Sequence, residues 1–306
     1  MQVKRKKSKS AVRKLSWRSK GAFLMIGLFA VAGIILCWSF YSANRSGRLE
    51  EVTFYSEALK AEKSLYVYLP PGYVFHPERS YPVLYLLPGN PGNGRDWIDN
   101  GAILQTVDRL NAQHAIAPFI LVLPDGHGPK VSFSQYVDSD IIDQQMETYI
   151  VKDVVNLIDA SYRTIKDSKH RAIGGNSSGG FGALNSAFHY PTIFTTVVSL
   201  SGYSVPLAET ASQLLTPVGI EKYNLLSQVQ APYAATPHVY LYYGDNDYLD
   251  FDTVSQELYQ ALVDNGVSVE LRSDDGKHEW GSWAINIEQA LLFVDRQFAN
   301  DQTAVK

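Results

Sequence analysis

Short apolar runs alternate with longer amphipathic stretches along most of this chain, and the alternation predicts a layered α/β domain. The runs are rich in β-branched and aromatic side chains, which is typical of strands. They lie at residues 65–69, 83–87, 119–123, 171–173, 196–200, 239–243 and 267–271. Because the runs from residue 83 onward are apolar at nearly every position, we expect a mostly parallel central sheet with helices on both faces. The first two runs predict an opening β-hairpin.

Helical periodicity fills the segments between the runs. Helices are predicted at residues 102–113, 141–161, 180–189, 253–264 and 283–298. Since strands and helices alternate without an internal repeat or a second linker, we expect one doubly wound domain at residues 51–300. Residues 203–237 are weakly patterned and could form a small cap over the site.

The beginning of the chain follows a different pattern, which is typical of a membrane anchor. Residues 21–41 carry no charge, and about 20 apolar residues are enough to cross a bilayer as a helix. Nine lysine and arginine residues precede this segment, and the positive-inside rule leaves such a tail in the cytoplasm. We therefore expect a cytoplasmic tail at residues 1–20, a single transmembrane signal-anchor helix at 21–41, a linker at 42–50 and an extracytoplasmic domain.

A cleaved signal peptide, which would leave the domain secreted, is the alternative for this segment. Cleavage after Ala43 would put Tyr41 at the −3 position, where signal peptidases prefer small residues. An uncleaved anchor that holds the protein in the cell membrane is therefore the favoured interpretation.

Charge and cysteine content exclude several classes of protein. The chain beyond the basic tail carries a formal charge of −13, which should repel nucleic acid rather than bind it. The single cysteine, Cys37, excludes an internal disulfide framework and a cysteine-rich metal site. No clustered set of histidines and carboxylates indicates a metal.

The most specific motif is Gly175-Asn-Ser177-Ser-Gly179, which lies between a predicted strand and a predicted helix. This context is typical of the nucleophile elbow of the α/β-hydrolase fold, a tight turn that exposes a serine above the sheet. Since only Ser177 has glycines two residues before and after it, we predict Ser177 as nucleophile and the backbone N–H of Ser178 as a donor. A phosphate-binding turn is the alternative, but neither Gly-x-Gly-x-x-Gly nor Gly-Lys-Ser/Thr occurs.

Chain order selects the partners of Ser177, because the triad of this fold runs serine, acid, histidine. Of the seven histidines, His278 is the one that follows both the elbow and the strand expected to deliver the acid. The acid should follow the strand at residues 239–243, and Asp247 is preferred there, with Asp245 and Asp250 as alternatives.

These motifs resemble those of the Putative esterase family of α/β-hydrolases. That family includes S-formylglutathione hydrolases, feruloyl and acetyl-xylan esterases, enterochelin-esterase-like proteins and mycolyltransferases. The resemblance spans most of residues 50–298 and is strongest in the elbow, in Tyr-Gly-Asp-Asn-Asp247 and in Gly-Lys-His278-Glu-Trp-Gly-Ser-Trp. It implies an α/β-hydrolase fold, a serine esterase and Asp247 as the acid.

The resemblance also implies that residues 86–97 form the first oxyanion loop. The backbone N–H groups of Asn90 and Ser178 would then bind the oxyanion. Pro88 stands where relatives commonly carry a histidine before the glycine. We predict that Trp97 and Trp280 line the substrate site.

The sequence therefore predicts hydrolysis of a carboxylic ester, either a small molecule or part of the cell envelope, through an acyl-enzyme on Ser177. This chemistry needs no cofactor. An acyltransferase that passes the acyl group to a carbohydrate hydroxyl is the alternative within the same chemistry. A catalytically silent surface-binding protein of the same fold is the alternative from another class.

Overall fold

The computed structural model describes Val31, Gly33 and residues 46–230, 237–247 and 251–303. The predicted tail at residues 1–20 and nearly all of the predicted anchor at 21–41 lie outside these residues. Within the described ranges, no helix combines the length and the apolar character needed to cross a membrane. The anchor therefore stays a prediction.

In the part of the chain that the structure describes, eight strands form one sheet in the order β1-β2-β4-β3-β5-β6-β7-β8. Strands β3 to β8 are parallel, and β1 and β2 join them in antiparallel pairing at one edge. The mostly parallel sheet expected from the apolar runs is thus confirmed. The strands are β1 Arg48–Ser56, β2 Ala61–Leu69, β3 Val83–Leu87, β4 Ile120–Pro124, β5 Arg171–Asn176, β6 Thr196–Leu200, β7 His238–Gly244 and β8 Val269–Asp274.

The predicted hairpin between residues 65–69 and 83–87 is wrong. Strand β2 pairs with β1 and β4, whereas β3 lies between β4 and β5. The sequence did not reveal β1 because it is an edge strand with one face toward the core, so it lacks a continuous apolar run. Val52 and Phe54 provide its apolar face, and the strand begins at Arg48, inside the stretch predicted as a linker.

Helices cover both faces of the sheet, as predicted. Alternate strand residues enter two separate cores: Val83 and Tyr85 lie in one, and Leu84 and Leu86 lie in the other. The helix predicted at residues 141–161 begins only at Met146 and continues through a π-helical segment. The helices are α1 Arg95–Asp99, α2 Ile103–Ala112, α3 (segments Met146–Thr148, Tyr149–Val154 and Val155–Ser161), α4 Ser178–His189, α5 Ala208–Leu214, α6 Pro217–Lys222, α7 Leu225–Gln228, α8 Phe251–Asp264 and α9 Trp280–Thr303, with 3-10 turns at Tyr73–Phe75 and Ser168–His170.

The two cores use different helices. Residues of α1, α2 and α9 fill the core on one face, and residues of α3, α4 and α8 fill the core on the other. The second of these cores also receives the weakly patterned segment after β6, which folds into α5, α6 and α7. The hydroxyl of Ser139 donates to Leu214 O at 2.5 Å, and Leu207 N–H donates to Gln135 Oε1 at 2.7 Å. These bonds fasten the segment to the loop before α3.

Candidate active site

The site is built on the turn between β5 and α4. Ser177 has φ 52° and ψ −123°, a conformation that non-glycine residues rarely adopt. Its N–H donates to Leu200 O of the neighbouring strand at 2.8 Å, which helps to hold the turn in place. Strain of this kind persists where the surrounding structure overdetermines it, and it is common at catalytic residues.

Close backbone packing explains the two glycines that flank Ser177. A Cβ at Gly175 would lie 2.4 Å from the Gly179 carbonyl carbon, and a Cβ at Gly179 would lie 2.3 Å from Leu87 O. Any side chain at either position would therefore push β5, α4 and the end of β3 apart. The elbow needs glycine at both places so that these three elements can meet beside the serine.

Ser177, His278 and Asp247 form one hydrogen-bonded line. His278 Nε2 lies 2.9 Å from Ser177 Oγ, and His278 Nδ1 lies 2.7 Å from Asp247 Oδ2. The Asp247 side chain is fully buried and the His278 side chain is 8% exposed. Asp245, the alternative acid, is exposed, and Asp250 lies outside the described residues. The geometry is that of a serine, base and acid triad.

Neighbouring strands bring the acid and the base together. Asp247 follows β7 and His278 follows β8, and these parallel strands lie side by side with their carboxyl ends at the same edge. Asn246 bridges the two loops, since its N–H donates to Gly276 O at 3.0 Å and its Nδ2 donates to Asp275 O at 2.8 Å. The loops therefore hold Asp247 and His278 as a unit.

Aromatic rings enclose the imidazole of His278. The ring centroid of Phe251 lies 5.0 Å away on one side, and that of Trp283 lies 4.9 Å away on another, both in edge-to-face geometry. Trp283 is buried and donates its indole N–H to Ser201 Oγ at 3.2 Å. These contacts limit how the imidazole can rotate.

Asp274, the last residue of β8, supports the loop that carries His278. One carboxylate oxygen accepts the Tyr242 hydroxyl at 2.6 Å and the Gly276 N–H at 2.9 Å, and the other accepts Asn286 Nδ2 at 2.8 Å. Burial alone would raise the pKa of Asp274, but these hydrogen bonds outweigh it and the pKa is lowered. Asp274 therefore remains an anion and holds the loop that carries His278.

The loop after β3 passes directly beside the elbow. Gly89 N–H donates to Asn176 Oδ1 at 3.0 Å, and a Cβ at Gly89 would lie 3.1 Å from Ser177 Cβ. Ser178 is the first residue of α4, where a backbone N–H has no acceptor within the helix. Asn90 and Ser178, the two predicted oxyanion donors, thus both line one depression beside the elbow.

We call this depression the oxyanion pocket. It is open to solvent, and the empty space of about 160 Å³ assigned to it includes that solvent. The Tyr136 hydroxyl donates to Pro88 O at 2.8 Å across one side of it. Its lining residues are Pro88, Gly89, Asn90, Gly92, Gly126, Phe133, Ser134, Gln135, Tyr136 and Ser178.

The prediction that Trp97 lines the substrate site is wrong. Its side chain is 0% exposed, and its indole N–H donates to Leu87 O at 3.1 Å beneath the oxyanion loop. The Trp280 ring packs edge-to-face on it, with a centroid distance of 5.1 Å, and is partly buried. Trp97 therefore supports the loop from the core and offers no surface to a substrate.

Sequence reasoning missed Asn176, Tyr136 and Asp274, the side chains that hold the site together. Asn176 occupies the variable position of the elbow motif, and Asp274 is the last residue of β8, shortly before His278. A polar residue at a strand end, directly before a catalytic loop, is the signal that could have identified both. Within the described ranges, no group of three or more histidines, cysteines or carboxylates is arranged to hold a metal.

Comparisons with known proteins agree with this geometry. Residues 56–294 match the family described as Putative esterase. An uncharacterized protein of Corynebacterium glutamicum is 36% identical over 152 residues, which are 49% of this chain and 35% of that protein. An acetyl esterase of Caldicellulosiruptor saccharolyticus is 23% identical over 276 residues, which are 80% of this chain and 97% of the esterase. The solved structure of a ferulic acid esterase is 29% identical, covers 83% of this chain and 100% of its own, and superposes with a TM-score of 0.75.

Proposed function

Since this chain belongs to the Putative esterase family and is a carboxylic ester hydrolase, we propose that it acts through an acyl-enzyme on Ser177. The observation that carries the proposal is the line from Asp247 through His278 to Ser177, with distances of 2.7 and 2.9 Å. Serine hydrolysis needs a base within hydrogen-bonding distance of the nucleophile and an acid that orients the base. Both conditions are met here.

In the first half of the reaction His278 Nε2 takes the proton of the Ser177 hydroxyl as Oγ attacks the ester carbonyl carbon. Asp247 accepts the Nδ1–H, which holds the imidazole in the required tautomer and stabilises it when it becomes charged. The carbonyl oxygen becomes an oxyanion and accepts hydrogen bonds from the backbone N–H groups of Asn90 and Ser178. His278 then gives its proton to the alcohol oxygen, the ester C–O bond breaks, and the alcohol leaves.

The second half repeats these steps with water in place of the alcohol. His278 takes a proton from the water, whose oxygen attacks the acyl carbon of the Ser177 ester. The oxyanion again binds to the two backbone N–H groups, and the proton returns to Ser177 Oγ as the carboxylic acid leaves. Besides the ester and one water molecule, no group outside the protein is needed to balance the two halves.

The substrates are esters of small molecules or of the cell envelope. The names of the acetyl esterase and ferulic acid esterase relatives support a small acyl-ester substrate. The uncharged segment at residues 21–41 and the basic tail before it support a domain anchored at the outer side of the cell membrane. Fractionation of cells that express the full chain tests this location. Recovery of the uncleaved chain in the soluble fraction would refute it.

The nucleophile is tested with Ser177→Ala and a fluorophosphonate probe. We expect this variant to lose both turnover of p-nitrophenyl acetate and covalent labelling, while its thermal unfolding stays close to that of the unmodified chain. The matched control is Ser186→Ala, which removes a buried hydroxyl from the same helix without touching the elbow. Turnover that survives in Ser177→Ala would show that another group is the nucleophile.

The product distribution tests hydrolysis against acyl transfer. With a carbohydrate acceptor present at high concentration, we expect the free carboxylic acid to be the main product. A sugar ester as the main product would instead indicate an acyltransferase.

A further inference from the structure

Residues 201–203 form a sharp bend directly after β6, and we call this segment the β6 bend. The last residue of the strand, Leu200, accepts the Ser177 N–H at 2.8 Å. The next residue, Ser201, donates its own N–H to Tyr242 O of β7 at 2.7 Å. The start of the bend is therefore bonded through the backbone to the strand that leads to the acid, one residue after a bond to the nucleophile.

The backbone of the β6 bend is strained and closely packed. Ser201 is 0% exposed and has φ 49°, a conformation that non-glycine residues rarely adopt. A Cβ at Gly202 would lie 2.2 Å from Ser199 Oγ and 3.0 Å from the carbonyl carbon of Gly180 in α4. Since the conformation of Ser201 is unfavourable in itself, contacts of the bend with its surroundings must compensate for it.

Side chains of the β6 bend contact both aromatic rings that lie beside His278. Ser201 Oγ accepts the indole N–H of Trp283 at 3.2 Å, and the Trp283 ring lies 4.9 Å from the imidazole between centroids. The Tyr203 ring lies 5.7 Å from that of Phe251, which lies 5.0 Å from the imidazole. Each ring beside the imidazole thus has a partner on the bend.

We propose that the β6 bend is a positioning element for His278, the catalytic base. Ser201 acts through the indole of Trp283, and Tyr203 acts through the ring of Phe251. This inference rests on the proposed function of His278. The imidazole must face the nucleophile, then the leaving alcohol and then a water molecule, and a displacement of about 1 Å at such a site costs about 100-fold in rate. Edge-to-face contacts favour one orientation of a ring over others.

Tyr203 is itself fixed to the helix that begins beside the nucleophile. Its ring stacks on that of Phe181, with a centroid distance of 4.5 Å and an interplanar angle of 17°, and Phe181 N–H donates to Ser177 O at 3.1 Å. The Tyr203 hydroxyl donates to Gln135 Oε1 at 3.0 Å. Burial raises the pKa of Tyr203 well above its usual value, so the hydroxyl keeps its proton.

Neither side chain of the β6 bend can act by touching the substrate. Ser201 is 0% exposed and Tyr203 is 2% exposed. Substitutions at these two positions should therefore lower kcat and leave KM nearly unchanged.

The hydrogen bond of Ser201 is tested in the full chain with Ser201→Gly and Ser201→Ala. Both variants lose Oγ, but glycine reaches a φ of 49° without the strain that alanine keeps. We expect both to lower kcat for p-nitrophenyl acetate and the rate of fluorophosphonate labelling by about tenfold, with KM changed by less than about threefold. The glycine variant should unfold at the higher temperature of the two. An unchanged kcat in Ser201→Gly would overturn the role of this bond.

A double-mutant cycle tests whether Ser201 acts through Trp283. Trp283→Phe keeps an aromatic ring but loses the indole donor, and kcat should fall by about tenfold or more. The double variant Ser201→Gly/Trp283→Phe should fall no further than Trp283→Phe alone, to within about twofold, because the bond is already absent. Effects that multiply would show that the two residues act independently, which contradicts the proposal.

The ring of Tyr203 is tested by comparing two substitutions. Tyr203→Phe keeps the ring and loses only the bond to Gln135, so kcat should stay within about threefold of that of the unmodified chain. Tyr203→Leu loses the ring, and kcat should fall by about tenfold with KM little changed. Equal values of kcat in these two variants would refute the role of the ring.

The matched control is Ser199→Ala. Ser199 is a buried serine of β6 whose Oγ lies against Gly180 of α4, whereas Trp283 belongs to the core on the other face of the sheet. This variant should keep kcat within about twofold of that of the unmodified chain. A loss as large as that in Ser201→Gly would show that any change near the bend lowers activity, and the specific role of Ser201 would be overturned.

Failure of this inference differs from failure of the proposed function. If the unmodified chain hydrolyses no ester and Ser177 takes no fluorophosphonate label, the catalytic assignment fails and the positioning role fails with it. If Ser177 is labelled, and Ser201→Gly and Trp283→Phe react as fast as the unmodified chain, the triad stands and the positioning role of the β6 bend is overturned.

Discussion

Replacement of Asn176 by alanine should slow the chemical step while leaving substrate binding nearly intact. The Asn176 residue is 1% exposed, and its Oδ1 accepts the Gly89 N–H at 3.0 Å. This bond joins the last residue of β5 to the residue before Asn90. It therefore fixes the distance between the two proposed oxyanion donors, although Asn176 itself has no part in the chemistry proposed above.

The expected fall in kcat follows from the hydrogen bond that the Asn176→Ala variant loses and from the hydrogen bonds of the loop that remain. A buried donor left without an acceptor costs about 1–3 kcal/mol of folding free energy, and complete loss of one oxyanion donor lowers kcat by about 10²- to 10³-fold. The loop remains tied by Tyr136 to Pro88 O at 2.8 Å and by Trp97 to Leu87 O at 3.1 Å. We therefore expect a partial effect, a fall in kcat of about 10- to 100-fold with KM changed by less than about threefold.

The assay is steady-state hydrolysis of p-nitrophenyl acetate, with thermal unfolding measured in parallel. The control is Asn185→Ala on α4, because Asn185 is also 1% exposed and its amide donates to Phe181 O at 3.1 Å and accepts Gln228 Nε2 at 2.8 Å. Both variants lose a buried amide, so both should unfold at a lower temperature, but only Asn176→Ala should lose kcat. Equal values of kcat in the two variants would refute the positioning role.

Other substitutions test the loops and the buried ion pairs. Asp274→Ala should lower kcat by about tenfold and slow fluorophosphonate labelling, because the loop that carries His278 loses three hydrogen bonds. A labelling rate equal to that of the unmodified chain would contradict this. Glu147→Ala should lower the free energy of unfolding in urea by about 1.5–3 kcal/mol, because the fully buried Glu147 carboxylate is hydrogen-bonded to the partly buried His189 imidazole and to the buried Tyr223 hydroxyl. A change below about 0.5 kcal/mol would contradict this. Lys63→Met should destabilise the protein most above pH 5 and progressively less as the pH falls below 3.8. Burial alone would raise the pKa of Asp125, but the hydrogen bond and the charge of Lys63 outweigh it and lower this pKa below 3.8. The ionised Asp125 therefore stabilises the folded protein at every pH above the pKa that it has in the unfolded chain. This stabilisation is lost as the pH falls through the lower pKa that Asp125 has in the folded protein. Urea unfolding at several pH values measures the difference, and a difference that does not vary with pH would refute it.

Most of the parallel part of the sheet could be predicted from sequence because its inner strands are buried on both faces, whereas β8 at the edge is only partly buried. The runs predicted at residues 83–87 and 196–200 coincide with β3 and β6, since an uninterrupted apolar run is itself the signal of such a strand. The edge strand Arg48–Ser56 gives no such run and was missed. The grouping of Ser177, Asp247 and His278 was also predictable, because the order of residues along the chain and the common edge of parallel strands constrain it.

The supports of the site could not be predicted, because each depends on a contact between residues far apart in the chain. The sequence predicts that Trp97 contacts the substrate, but the Trp97 side chain is buried and donates its indole N–H to Leu87 O. Gln135 and Tyr136 adopt consecutive positive φ angles of 49° and 55°. Glutamine and tyrosine rarely adopt this backbone conformation, so it could not be predicted from their identity. Such a pair exists here because buried hydrogen bonds to Leu207 N–H and Pro88 O fix both side chains.

The contacts that hold the two catalytic loops differ from those that hold residues 126–136. The His278 loop is held by Asp274 and the oxyanion loop by Asn176, and both of these residues are the last residues of strands of the sheet. Residues 126–136 are instead held by Gln135, whose Oε1 accepts the N–H of Leu207 before α5. Because Asn176 and Asp274 support the proposed chemistry and touch no part of a substrate in the mechanism above, their loss should lower kcat for every ester alike. Measured across esters of different acyl length, a variant at Asn176 should therefore lower all the rates by a common factor, and rates that fall unequally would contradict this role.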